Sequence, residues 1–193
     1  MNFIVGIIMA VRSLTFMASF VSTDSTAVHF VEPQFILSRQ EVKIKIGLKN
    51  ALSGELLKLA STGTIIPIYV YIDLIHDGDD HLVNRTIMET RLYHDLSRRC
   101  YGIVKNSGRD TLYRSTLDSA AEAACMNETF HAFQSGIVNP DEYYYVNIYA
   151  ILGKTVVEAL GNNNMDLMYY WNFKRPSIRT ETFKGENFII KRN

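Results

Sequence analysis

The sequence predicts a mainly β domain: an antiparallel β-sandwich-like fold carrying two short helices. Three observations predict it. Several long segments alternate apolar and polar residues with period two, as half-buried strands do. Clusters of Gly, Asn, Asp and Pro punctuate them. The two helical stretches are not placed as crossovers between parallel strands, so the chain reads as antiparallel. Because the strands are long, the pattern also allows a curved antiparallel sheet with both helices on one face, an α+β arrangement.

The elements follow in order. Residues 28–37, VHFVEPQFIL, read as an extended segment whose Pro33 marks an edge or a strand break. EVKIKIGL then places Val42, Ile44 and Ile46 on one face and Lys43 and Lys45 on the other. In NALSGELLKLASTG, Leu52, Leu56 and Leu59 recur at helical spacing and Gly63 stands at the stop. TIIPIYVYIDLI at 64–75 is the strongest strand. Ile66, Ile68, Val70, Ile72 and Leu74 face one way; Tyr69, Tyr71 and Asp73 face the other. HDGDDHLVN is a polar connection, TIMETRLYHDL returns as a strand, and the pair makes a hairpin. RRCYGIVK and DTLYRS continue the sheet around the turn NSGRD. Ser115 or Thr116 caps a helix predicted over LDSAAEAACMNETFHAF and ended by Gly136. EYYYVNIYAIL at 142–152 is a strand, and DLMYYWNF and SIRTETFKGENFIIK are read as the last ones.

Residues 1–27 stand apart as a signal peptide or membrane anchor, leaving 28–193 as a single β-rich domain. MNFIVGIIMAV and SLTFMASFVST are apolar and flank Arg12. A membrane span would hold that arginine near its centre, at a cost of roughly 2.5–3.5 kcal/mol. A start at Met9 reads better as a leader: a basic MAVR, a short apolar LTFMASFV, and small residues at Ser25-Thr26-Ala27. The expected location is periplasmic, or anchored to the outer face of the cytoplasmic membrane.

Composition narrows the partners. Lys+Arg and Asp+Glu are both 20, so no excess of positive charge calls for nucleic acid. The two cysteines, Cys100 and Cys125, form no C-x-x-C or zinc spacing. They read as small buried hydrophobes. A disulfide, if the domain is exported, would add roughly 3 kcal/mol.

Chemistry is sparse. The richest stretch is IHDGDDHL at 75–82. An EF-hand loop starting at Asp77 would need Gly at position 82 and Glu at 88, where Leu82 and Met88 stand. His76, Asp79 and His81, with Asp77 nearby, could ligate a metal, but their spacing matches no standard zinc motif. Asp and Gly also suit a solvated turn, which is the favoured reading. Gly153-Lys154-Thr155 follows a strand, yet a phosphate loop needs Gly at position 148, where Ile148 stands. G-x-S-x-G, H-E-x-x-H and G-x-G-x-x-G are absent. His94 reads as a hydrogen-bonded, half-buried strand residue. The aromatics read first as cross-strand pairs of a β-rich core, and otherwise as a surface for a protein partner or a glycan: Tyr143, Tyr145 and Tyr149 share one face of their strand with Tyr144 opposite, and Trp171 lies in a later cluster. No cofactor is implied.

Four stretches in this order carry a resemblance: ALSGELLKLASTGTIIPIYVYIDL, RLYHDLSRRCYGI, YRSTLDSAAEAA and MDLMYYWNF. Together they resemble the bacterial domain-of-unknown-function family number 4390, over about residues 40–173. The resemblance implies a short exported or membrane-anchored protein and carries over no catalytic residues. The expected function is therefore a non-enzymatic interaction or assembly module of the cell envelope, with an envelope protein as its partner. The alternative is a metal-dependent hydrolase using the 76–81 His/Asp loop.

Overall fold

The structure is a computed structural model that describes residues 13–15, 27–38, 40–106, 108, 110–126, 128–157 and 163–189. Most of the expected leader or anchor lies outside the described residues. The fold is mainly β and antiparallel, with two larger sheets, a separate two-stranded hairpin and two α-helices among the described residues, and the seven-stranded sheet does not close into a barrel.

The smaller sheet has the order β1 (Ser13–Thr15), β2 (His29–Leu37), β3 (Glu41–Lys49), β8 (Glu128–Gln134). In β3 the alternation is realised: Val42, Ile44 and Ile46 are buried, while Lys43 and Lys45 are half-buried. Pro33 falls where the β2–β3 register shifts, between Val31 and Gln34. A proline has no N–H for the ladder, so the bulge puts it where none is needed.

The larger sheet has seven strands. Its order is β12 (Ser177–Arg179), β9 (Tyr143–Leu152), β4 (Ile66–His76), β5 (Leu82–Asp95), β6 (Cys100–Lys105), β7 (Thr111–Arg114), with β13 (Phe183–Lys184) pairing further along β9. β4 is central, paired with β5 from Ile66↔Leu92 onward and with β9 from Ile68↔Leu152 onward. Ile66, Ile68, Val70, Ile72 and Leu74 are all buried against the small sheet and helices. A separate hairpin pairs β10 (Lys154–Val157) with β11 (Asn163–Asp166).

The helices fill the space where seven strands face only four. α1 (Gly54–Ser61) buries Leu56 and Ala60 against β5. Gly63, at φ +93°, ends it in a conformation that suits glycine. α2 (Leu117–Cys125) lies on β5, β6, β7 and β3 and buries Ala120, Ala121 and Ala124. The Thr116 hydroxyl accepts from the Ser119 N–H at 3.3 Å, which caps it.

Two expectations fail locally and a third holds in part. The second helix stops at Cys125 instead of running on toward Gly136, and the chain re-enters the small sheet as β8. Past Cys125 the run of alanines gives way to Phe130 and Phe133, which pair opposite Ile44 and Val42 in the small sheet. DLMYYWNF is a 3-10 turn over Leu167–Trp171, entered by Asp166, whose carboxylate accepts from the Met168 N–H at 3.0 Å. The last stretch yields only β12 and β13 before a 3-10 turn over Gly185–Phe188.

Cys100 and Cys125 are free thiols, both half-buried. Cys125 lines a cavity of about 30 Å³ with Phe30, Ile68, Val70, Met88 and Phe130. Burial there pushes its thiol up to about 12.

Phe188 joins the two sheets near the chain's end. Its ring meets Phe183 of β13 at 4.1 Å, Phe133 of β8 at 5.3 Å and Phe35 of β2 at 5.8 Å, each edge-on. Fully buried phenylalanines cost about 3–5 kcal/mol on truncation to alanine. Phe188→Ala is therefore expected to lower the unfolding free energy from urea titration by that amount, and the midpoint with it, with Phe173→Ala, 64% exposed, changing both little. Equal midpoints for the two variants would remove Phe188 from the core.

Candidate functional site

The outer face of the large sheet is where chemistry and exposure meet. Strand alternation sends Tyr69, Tyr71 and Asp73 of β4 to this face, away from the isoleucines. The registers then build rows across three strands. Arg85, Asp73 and Asn147 align, with Arg179 beyond them on β12. Ile87, Tyr71 and Tyr149 form the next row, with Ser177 at its end.

Asp73 anchors the first row. It is only 4% exposed, yet it stays paired: Arg85 Nε and Nη2 donate to its two oxygens, each at 2.7 Å. This fork geometry is the strong form of a charged hydrogen bond. It raises the pKa of the Arg85 guanidinium, mainly through the bond to Asp73. The guanidinium also lies 5.7 Å from the Tyr71 ring centroid. Tyr71 and Tyr149 stack in parallel, 4.7 Å apart and 1° from coplanar. Arg179 sits 3.6 Å over the Tyr145 ring. Tyr69 donates to Glu89 Oε1 at 3.0 Å, and Arg91 Nε donates to the same oxygen at 2.8 Å. Burial raises the phenol pKa values of Tyr69, Tyr145 and Tyr149 first of all. These phenols therefore stay neutral donors at physiological pH.

Of the residues singled out from sequence, Tyr143, Tyr145 and Tyr149 do share the outer side of β9, with Tyr144 buried opposite. Tyr143 is 54% exposed, Tyr149 half-buried, and Tyr145 only 6% exposed beneath Arg179. Tyr145 donates to Asp80 Oδ1 at 2.9 Å. Trp171 is elsewhere: it is 5% exposed in the core, and its indole N–H donates to the Ala51 carbonyl at 2.9 Å. His94 is half-buried, with Nδ1 2.9 Å from the Ser61 carbonyl and its ring stacked on Tyr101 at 4.6 Å. Arg85, Asp73 and Arg179 were not singled out as site residues. Their partners become visible only once the register is known, although Asp73 among β-branched neighbours was a signal.

His76, Asp79 and His81 sit in the β4–β5 connection, at one end of the same face. His76 Nδ1 lies 2.7 Å from Asp79 Oδ1, and His76 Nε2 lies 3.7 Å from Glu142 Oε2. His81 contributes its backbone instead: its N–H donates to Asp79 Oδ1 at 3.2 Å and its carbonyl accepts from the His76 N–H at 2.9 Å. Among the described residues no group of three or more His, Cys, Asp or Glu could hold a metal ion. Asp77 accepts from the Thr182 hydroxyl at 3.0 Å and lies 3.6 Å from Arg179. The turn is thus strapped to β9 and to the β12–β13 link.

No protein-family model, no curated protein and no solved structure matches the chain.

The strap has a pH signature. The hydrogen bond to Asp79 raises the His76 pKa, and the same bond lowers that of Asp79. A raised histidine contributes stability below its unfolded value, about 6.5, and loses it as pH rises through the folded value. A depressed aspartate contributes above its unfolded value, about 3.9, and loses it as pH falls through the folded value. The stability lost on Asp79→Asn is therefore expected to be greatest between about pH 4 and pH 6.5 and to shrink on both sides. Urea unfolding across pH measures it, and the His76 ring resonances should titrate lower in the variant. A loss that does not vary with pH would contradict the pairing.

Proposed function

We propose that the protein is a non-enzymatic interaction module of the cell envelope that binds a protein partner through the outer face of β4, β5 and β9. One observation carries the reading. Tyr71, Tyr149 and Arg85 are preset on that face by stacking and by the Asp73 fork, beside Ile87, which is 51% exposed. Tyrosine and arginine dominate the energetics of protein interfaces, and side chains already ordered lose less freedom on binding. Stacking covers one face each of Tyr71 and Tyr149, and Arg179 covers Tyr145. Ring edges, hydroxyls and the exposed Ile87 side chain suit a protein surface.

Placement in the envelope rests on the apolar residues 1–23 and on the family resemblance, which is also consistent with a non-catalytic role. Among the described residues no helix is long and apolar enough to cross a membrane. The metal-dependent hydrolase draws no support from the 76–81 loop, because the Asp79 carboxylate is engaged by His76 and by the His81 backbone.

Photocrosslinking in the native envelope fraction tests the proposal. A photoreactive phenylalanine analogue in place of Ile87 is expected to give one discrete protein adduct. The same analogue in place of Glu55, an exposed residue of α1, should give none. Adding Tyr149→Ala should abolish the Ile87-site adduct. An absent adduct at position 87, or the same adduct from both positions, would refute the assignment.

A further inference from the structure

The sheet edges are not managed alike. β8 is tied to the large sheet at one point, where Asn84 Nδ2 and the Thr86 hydroxyl both donate to the Ala132 carbonyl. The outer edge of β9 carries β12 and β13, two short strands offset along it. At the other end of the large sheet, β7 pairs with β6 alone among the described residues. It is not well covered either: Leu112 is 38% and Tyr113 36% exposed. A strand in this position presents backbone N–H and C=O groups to any strand that approaches.

The residues along that edge say what would approach. Asp110-Thr111-Leu112-Tyr113-Arg114 is self-complementary in the antiparallel sense. If Leu112 faces Leu112 of a second copy across a two-fold axis, Asp110 faces Arg114, Thr111 faces Tyr113, and each of these pairs occurs twice. Residues directly opposite share a face, so the two leucines meet on the side where Leu112 already neighbours buried Ile103 of β6. Slipping the register two residues either way sets a charge against Leu112 and leaves its partner charge unmatched. The register is thus selected by charge. We propose that the protein self-associates by β7–β7 pairing in this register, so that two large sheets run on as one through an isologous interface.

In the single chain, Arg114 Nη1 donates to the Tyr113 carbonyl at 3.0 Å, an exposed contact. Pairing would exchange this exposed local contact for an ion pair with the Asp110 carboxylate of the second copy. The strand is short, so the association is weak and depends on concentration. The surface is also separate from the β4–β5–β9 rows, and either proposal can fail without the other.

Sedimentation velocity on the purified full chain in mild detergent, over a range of concentrations, decides it. The expected result is a monomer–dimer equilibrium. Asp110→Arg sets two like-charged pairs opposite each other and should weaken the dimer about tenfold. Arg114→Asp should do the same, and Asp110→Arg with Arg114→Asp should restore it. Both positions are at the surface edge, and circular dichroism of each variant checks that the fold is kept. A monomer at every concentration overturns the proposal. So does a dimer indifferent to the single reversals, or single losses that the double reversal does not repair.

Discussion

The structure depends on the alternation of β4. This strand is paired on both sides along nearly its whole length, so neither of its faces can adjust independently. One face is five aliphatic side chains in the core; the other is Tyr69, Tyr71 and Asp73. A slip of one residue would put the isoleucines in water and an aspartate among them. Register is therefore specified on both sides by burial, and both β5 and β9 inherit it. The rows on the outer face, the course of the β4–β5 turn, and the packing of α1 against β5 are consequences.

A carboxylate in the middle of such a strand needs compensation. Asp73 is nearly covered, and an unpaired charge there would cost several kcal/mol. The fork from Arg85 meets both oxygens, and it can do so only because Arg85 stands directly opposite in the hairpin. The pair is not a large source of net stability, since Arg85 remains 42% exposed and solvent screens it. Its effect is on order. Arg85 is immobilised beside Tyr71, the tyrosine stack is flanked, and the outer face holds one arrangement.

Much of this was legible in the residues. Period-two patterns located β3, β4, β5 and β9, and they placed Tyr143, Tyr145 and Tyr149 on one side of β9. What escaped was whatever depends on distant neighbours. Phe130 and Phe133 follow an alanine-rich helix, and local propensity extends that helix through them; only pairing with β3 makes them a strand. Trp171 looks like part of an exposed aromatic cluster until the Ala51 carbonyl, far away in sequence, satisfies its indole N–H in the core. Arg85 and Arg179 look like ordinary surface charges, because nothing local reveals Asp73 or the Tyr145 ring as the partner. The histidine-rich connection was legible as a polar turn; what geometry adds is that Asp79 accepts from the turn itself.

The aromatics are divided by face. Inside, Phe35, Phe133 and Phe183 each meet the Phe188 ring edge-on. Outside, the tyrosines lie flat on one another or under arginines, and every arrangement includes a charge or a hydroxyl. Truncating half-buried Tyr149 removes less buried apolar area than truncating an inner phenylalanine, which opens a cavity. Tyr145, only 6% exposed beneath Arg179, and Asp73, held by the Arg85 fork, are bound into the fold as firmly as core residues, so burial and not face alone sets what each outer side chain contributes.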